Sequence, residues 1–243
     1  MQRSKLRLGP VIYFVFFIYL STLISCTDND TRYGKYVDPD AIFFDYKIKG
    51  EEKDSLITVY LQFRRGGPNG STIMLSGPAN VELDGEIIPI DSAKLTGAFY
   101  EIQKPAKGFA GKHTILFTDF NKKEYEQEFV YRPFTLKTKI PDTVRRGNLT
   151  FEFNGLESED YIRVSLVDTS FRNRDINEID TVKNGKLIVS AEKLKNLVDG
   201  PITVLLYKDV ERPVQKSTKA GGRISVTYGF TREFELKSPL KSP

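Results

Sequence analysis

From Ala41 to Leu236 the apolar residues of this chain recur at nearly every second position, and a period of two specifies half-buried β-strands. Ile42, Phe44, Tyr46 and Ile48 alternate with Asp45 and Lys47; Ile57, Val59, Leu61 and Phe63 alternate with Thr58, Tyr60 and Gln62. Gly66 to Gly70 (GGPNG) is a turn cluster, and Asp84-Gly85, set between Val81 to Leu83 and Glu86 to Ile88, predicts a two-residue hairpin. Phe99 to Ile102, Lys112 to Thr118 and Tyr125 to Tyr131 bring the strands before Pro133 to about seven, the spacing of a sandwich.

A second set follows Pro133. Phe134 to Ile140 reads as a strand, as do the runs around Phe151, around Val164, from Ile176 to Val182 and from Lys186 to Ser190. Ala191 to Leu197 looks helical and is stopped by Gly200-Pro201. Ile202 to Tyr207, apolar nearly throughout, predicts a strand buried on both faces. Ile224 to Leu236 is a long closing strand with a bend expected at Gly229. The run Gly111 to Leu116 (GKHTIL) is echoed by Gly200 to Leu205 (GPITVL), at the offset of one small sandwich. The expected fold is all-β: two tandem immunoglobulin-like antiparallel β-sandwiches over residues 41–133 and 134–237, with a short tail over 238–243. Two small domains seldom share a large apolar interface, so hinge motion at Pro133 is expected.

Single occurrences of cysteine (Cys26) and histidine (His113) exclude several chemistries. Within one subunit no disulfide, thiolate nucleophile, multi-histidine metal site or Ser-His-Asp relay can be assembled. No cofactor and no metal is expected. His113 shares the parity of Ile115 and Phe117, a boundary position on a strand. Excess positive charge is confined to the start: the chain carries +4, of which Arg3, Lys5 and Arg7 supply 3, leaving 4 − 3 = +1. That gives no charge footprint for nucleic acid.

The same three basic residues precede an apolar run from Val11 to Leu20, and small and polar residues lead to Leu23-Ile24-Ser25-Cys26. The ordered parts are those of a signal peptide, and the apolar run is short for a spanning helix. The ending resembles the lipobox of bacterial lipoproteins. The resemblance implies removal of residues 1–25, acylation at Cys26 and attachment to the outer membrane through at least two fatty chains, enough for durable anchoring. Residues 26–40, polar and acidic (Asp28, Asp30, Asp38, Asp40), read as a tether. An acidic run after the lipidated cysteine also resembles the surface-export signal of Bacteroidota lipoproteins, so a periplasmic and a surface-exposed location both stay open. Asp-Ser/Thr-aliphatic tripeptides at Ser55, Ser92, Thr143 and Thr181 resemble the O-glycosylation sequon of such proteins.

Catalysis would have to use paired carboxylates. Glu157, Glu159 and Asp160 cluster in one loop, but nothing nearby supplies an apolar pocket to tune them. With immunoglobulin-type connectivity that loop shares a pole with a long loop, Asp209 to Gly222, carrying Arg212, Lys216 and Lys219; an interdomain contact and a ligand site are both compatible with it. At the opposite pole Phe171, Arg172 and Arg174 are the candidate binding residues, together with the Ala191 to Asp199 turn. Arg145-Arg146 and Lys122-Lys123 read as solvated turn residues. Tryptophan is absent, so a sugar platform would have to use Tyr or Phe. The function expected is a membrane-anchored, non-enzymatic binding or scaffolding module with a protein or glycan partner. A surface glycan-binding accessory lipoprotein and a carboxylate-dependent hydrolase are the alternatives.

Overall fold

A computed structural model of the chain describes residues 32–33, 37–93, 96–169 and 175–238. The first half runs through β1 (Arg32–Tyr33), a 3-10 turn (Pro39–Ala41), β2 (Ile42–Glu51), β3 (Leu56–Arg65), β4 (Ile73–Met74), β5 (Asn80–Leu83), β6 (Glu86–Ile87), β7 (Ile90–Ala93), β8 (Gly97–Pro105), β9 (Gly111–Thr118) and β10 (Glu124–Tyr131). The second runs through β11 (Thr135–Leu136), β12 (Thr143–Arg145), β13 (Leu149–Asn154), β14 (Tyr161–Asp168), β15 (Ile176–Thr181), β16 (Lys186–Val189), the short helix α1 (Ala191–Leu194), β17 (Gly200–Pro213) and β18 (Gly222–Lys237).

In the first sandwich a β2-β3-β8-β7 layer faces β6-β5-β9-β10, the A-B-E-D and C′-C-F-G layers of an immunoglobulin domain. In the second, β11-β13-β16 faces β12-β18-β17-β14-β15, an A-B-E layer against A′-G-F-C-C′. The chain is all-β, two immunoglobulin-like sandwiches in tandem. The predicted hairpin joins β5 to β6, with Asp84 at φ 51° and Gly85 at φ 83°. Both central residues thus adopt the positive φ of a type I′ turn, whose twist matches the strands it joins.

Each sandwich has its own aromatic centre. Phe44 packs edge-on against Phe63, Phe117 and Tyr125 in the first. Phe134 packs against Phe153 and Phe230 in the second. Tyr228 joins them: its ring lies 5.9 Å from that of Tyr131 and 5.5 Å from that of Phe134, touching both cores.

The joint is not a hinge. β17 and β18 overrun the second sandwich, and the first eight residues of β18, Gly222 to Gly229, pair in parallel with Phe44 to Glu51 of β2. This addition makes the outer layers of both domains one nine-stranded sheet. Val214 and Ile224 of the hairpin are buried in the first core. Bending at Pro133 would break that ladder of main-chain hydrogen bonds, each comparable in cost to a buried unpaired amide. Residues 37–40, expected in the tether, are docked as well: Val37 is buried, and the Ala220 amide donates to the Asp40 carbonyl.

Four local expectations are corrected. Phe134 to Ile140 pairs only as the two-residue β11, because Lys137 and Thr138 both turn their amides to the one carbonyl of Glu152. Along Ile202 to Tyr207 burial alternates, since only Ile202, Val204 and Leu206 face the core. The Asp209 to Gly222 loop shrinks to residues 214–221, the rest being strand. Gly229 leaves β18 unbroken; its role is close approach, since a Cβ there would lie 2.3 Å from Cδ1 of Tyr207 on the paired strand.

Candidate functional site

Side chains on the outward parity of the joined strands share one face of the sheet. β2 presents Asp45, Lys47 and Lys49, β3 presents Thr58, Tyr60, Gln62 and Arg64, and β18 presents Arg223, Ser225 and Thr227, while β17 adds Tyr207, Asp209 and Glu211. All but Asp45 line two adjoining hollows of about 610 Å³ and 540 Å³ that share Lys47, Lys49 and Thr58. The result is one polar trough, crossing β17-β18-β2-β3-β8, some 19 Å at about 4.8 Å per strand spacing. Neither sandwich forms it alone.

Its floor is organised by Asp45, which is only 2% exposed although it points outward. Arg223 Nε donates to Oδ1 at 2.8 Å, while Arg64 and Lys47 each approach Oδ2 at 3.6 Å. Burial pushes this carboxyl up, but the Arg223 hydrogen bond and the charges of Lys47, Arg223 and Arg64 outweigh it and hold Asp45 below the usual carboxylate range. Toward β17, the Asp209 carboxylate accepts from the Ser225 and Thr227 hydroxyls, both at 2.9 Å. The Tyr207 hydroxyl donates to Glu51 at 2.9 Å. Burial, then the contact with Glu51, pushes this phenol up, so it stays a donor. At the β8 end the rings of Tyr60 and Phe99 stack at 5.1 Å and 22°.

On the inner side of the hairpin a second groove of about 300 Å³ opens between β10 and β17, where Tyr131, Val210, Val226 and Tyr228 form apolar walls. Arg132 and Lys208 at its rim are paired with Glu157 and Asp160, at 3.0 and 2.6 Å. Arg212 donates to the Glu128 carbonyl.

No protein-family model and no curated protein matches this chain. Solved structures do align with it. A tetra-tandem repeat from the extending region of a large adhesion protein shares 12% identity at a TM-score of 0.25, covering 80% of this chain and 49% of that one. The DIP-gamma IG1+IG2 pair shares 9% at 0.23, covering 81% and 94%. SGBP-B of the Bacteroides ovatus mixed-linkage glucan utilization locus, solved with a heptasaccharide, shares 11% at 0.18, covering 82% and 61%. The chain spans about half the length of the first of these. Scores of this size carry no argument, and the architecture stands on the strand pairing itself.

Cys26, Phe171, Arg172 and Arg174 lie outside the described residues. Of the loop acids, Glu157 meets Arg132 at the joint, while Asp160 Oδ2 accepts the Glu157 amide at 2.9 Å and meets Lys208 of the same sandwich. The cations expected to meet these acids go elsewhere: Arg212 donates to the Glu128 carbonyl of the first sandwich and Lys219 pairs with Asp40 at 2.6 Å. Among the described residues no group of three or more His, Cys, Asp and Glu side chains could hold a metal, and no helix is long and apolar enough to cross a membrane. His113 sits half-buried between the Phe109 and Phe129 rings, its Nδ1 2.7 Å from Asp84 and its Nε2 2.7 Å from the Phe109 carbonyl. Ser55, Ser92 and Thr143 are exposed, while Thr181 is half-buried.

Arg146, expected in solvent, is 14% exposed at its side chain. Its guanidinium donates to the Leu194 carbonyl at the end of α1, to the Leu197 carbonyl beyond it and to Asp199 at 2.6 Å. The trough itself was readable as one parity of polar residues on β2, β3 and β18. What the alternation could not supply was the adjacency of β18 to β2.

Proposed function

We propose that this chain is a membrane-anchored lipoprotein of the bacterial cell envelope, working as a non-enzymatic binding or scaffolding module, with the trough as its recognition surface. The trough carries the reading: it is a concave polar surface built jointly by two rigidly connected sandwiches, and concavity with convergent polar groups is what a binding site requires. The lipobox-like ending at Cys26 supports the anchor. Of the acids considered for hydrolysis, Glu157 and Asp160 are engaged in ion pairs with Arg132 and Lys208, which favours binding over chemistry.

Two measurements test this. Metabolic labelling with a fatty-acid analogue should tag the wild-type chain and not Cys26→Ala, which should also stay unprocessed; a freely soluble, untagged wild-type chain overturns the anchor. The purified chain from residue 27 onward, which carries no lipid, should co-sediment with isolated envelopes stripped of endogenous copies, and Thr58→Glu in that chain, which places bulk and negative charge where the two hollows meet, should abolish that. Equal co-sedimentation of the variant overturns the trough as the recognition surface.

A further inference from the structure

The two layers that meet at the hairpin are unequal. One continues from β2 through β18 to β17, while the layer facing it stops at β10, which pairs with β9 alone. Val210, on the inward parity of β17, is left 44% exposed, and Val130 of β10, across the groove, 45%. In an antiparallel pair the main-chain groups of successive residues face the partner and then away from it. The Asp119 amide donates to the Lys123 carbonyl, one step beyond the Glu124–Thr118 pair, so the odd-numbered residues of β10 bond β9 and the even-numbered ones turn to the open edge. The Glu128 carbonyl accordingly accepts from the Arg212 and Gln127 side chains. The N–H and C=O of Val130 have no partner among the described residues. Arg212, half-buried in the groove, uses one of its five donors on Glu128 and meets no carboxylate among the described residues.

We infer that the groove takes an extended peptide of another protein as a strand added to β10, with its main chain on Val130, apolar side chains against Val210, Val226 and Tyr228, and a carboxylate at Arg212. The groove lies on the opposite face of the hairpin from the trough, and its occupation is independent of the trough. Strand addition needs an unpaired edge for affinity and a wall that reads alternate side chains; β10 supplies the first and the inner face of the hairpin the second. In an antiparallel addition the inward side chains stand opposite Tyr131, Phe129 and Gln127 in that order, and Arg212 reaches the edge at Glu128, beside the third. The pattern recognised is therefore apolar-x-apolar-x-acid. The acid follows from charge: Arg132 and Lys208 are already paired with Glu157 and Asp160, which leaves Arg212 as the groove cation without one. A second copy of the chain is disfavoured, because a space of about 300 Å³ under the hairpin admits one strand, whereas the edge of another copy would bring two facing layers.

The probe is the peptide TVTVTDT, acetylated and amidated at its ends, whose two valines and aspartate take the inward positions. Fluorescence anisotropy with the chain from residue 27 onward should show saturable binding, and in single-amide hydrogen exchange the Val130 amide, fast in the free chain, should slow when the peptide is added. The same peptide N-methylated at its central threonine keeps every side chain and loses the donor to the Val130 carbonyl; it should bind about tenfold more weakly or worse. Arg212→Ala should weaken the unmethylated peptide by about tenfold, the weight of one hydrogen bond to a charged group, and Thr58→Glu should leave it unchanged. The methylated comparison uses the wild-type chain, so it decides the matter even if Arg212→Ala fails to fold. No saturable binding up to about 1 mM, equal binding of the methylated peptide, or a Val130 amide already slowed in the free chain by self-association overturns the inference, and each leaves the trough to its own test.

Discussion

Arg223 and Asp45 stand directly opposite one another across the parallel β18–β2 pair, Nε 2.8 Å from Oδ1, so a residue late in the chain neutralises a buried acid near its beginning. Asp45 gathers three cations, whereas Arg223 is one of three partners and is 36% exposed. Removing the acid therefore costs more than removing the arginine. Asp45→Ala should lower unfolding free energy by about 3 kcal/mol, the scale for stranding buried partners of a broken pair. Arg223→Ala should cost well under half of that. Urea unfolding of both variants checks the order.

The same site sets an acid limit on stability. Because the folded state holds the Asp45 carboxyl below its unfolded value of about 4, its contribution is complete above that pH and is lost as pH falls through the lower folded value. Asp199, drawn down to about 2 by hydrogen bonds from Ser238 and Arg146, acts in the same direction. Urea midpoints should be flat near neutrality and fall in acid. Asp45→Asn should show a lower neutral plateau and a shallower acid slope.

Much of this architecture was written in local pattern. The alternation of Ile42 to Ile48 and of Ile57 to Phe63 placed β2 and β3, and Asp84-Gly85 placed the turn of their sheet-facing neighbour. The echo between Gly111 to Leu116 and Gly200 to Leu205 corresponds to β9 and β17, both F strands, whose opening glycines share φ values of 131° and 133°. The addition of β18 to β2 was not legible. It joins residues 222 and 44 through main-chain groups that every residue carries, so no side-chain period announces it. Arg146 was misread because a charged turn residue becomes a clamp only when distant carbonyls converge on it. Asp45 likewise looked solvent-facing; it is buried by neighbouring strands and cations that local sequence does not reveal.

The Arg146 clamp gives a separate prediction. Arg146→Ala would leave the Leu194 and Leu197 carbonyls without their donor, at a cost of about 2 kcal/mol. Arg146→Lys should recover little of it, since one ammonium cannot span the fork. Thermal unfolding of the two variants checks this.

Close approach at the tip of the hairpin gives another. A Cβ on Gly222 would lie 2.7 Å from Cβ of Phe44 and 2.8 Å from its carbonyl oxygen. Gly222→Val should thus push β18 off β2, with a loss of about 1–3 kcal/mol and a larger radius of gyration in solution scattering. An unchanged scattering profile would mean that this contact yields without undocking the strand.

The claim on which the trough and the rigidity of the pair both depend is that β18 adds to β2. Native-state hydrogen exchange resolved to single amides tests it most directly. The hydrogen-bonded amides of β18 between Gly222 and Gly229 should exchange as slowly as those at the centre of β3 and slow together with them. Fast exchange of these amides, with β3 and β14 still protected, would show two separately moving sandwiches and contradict the account.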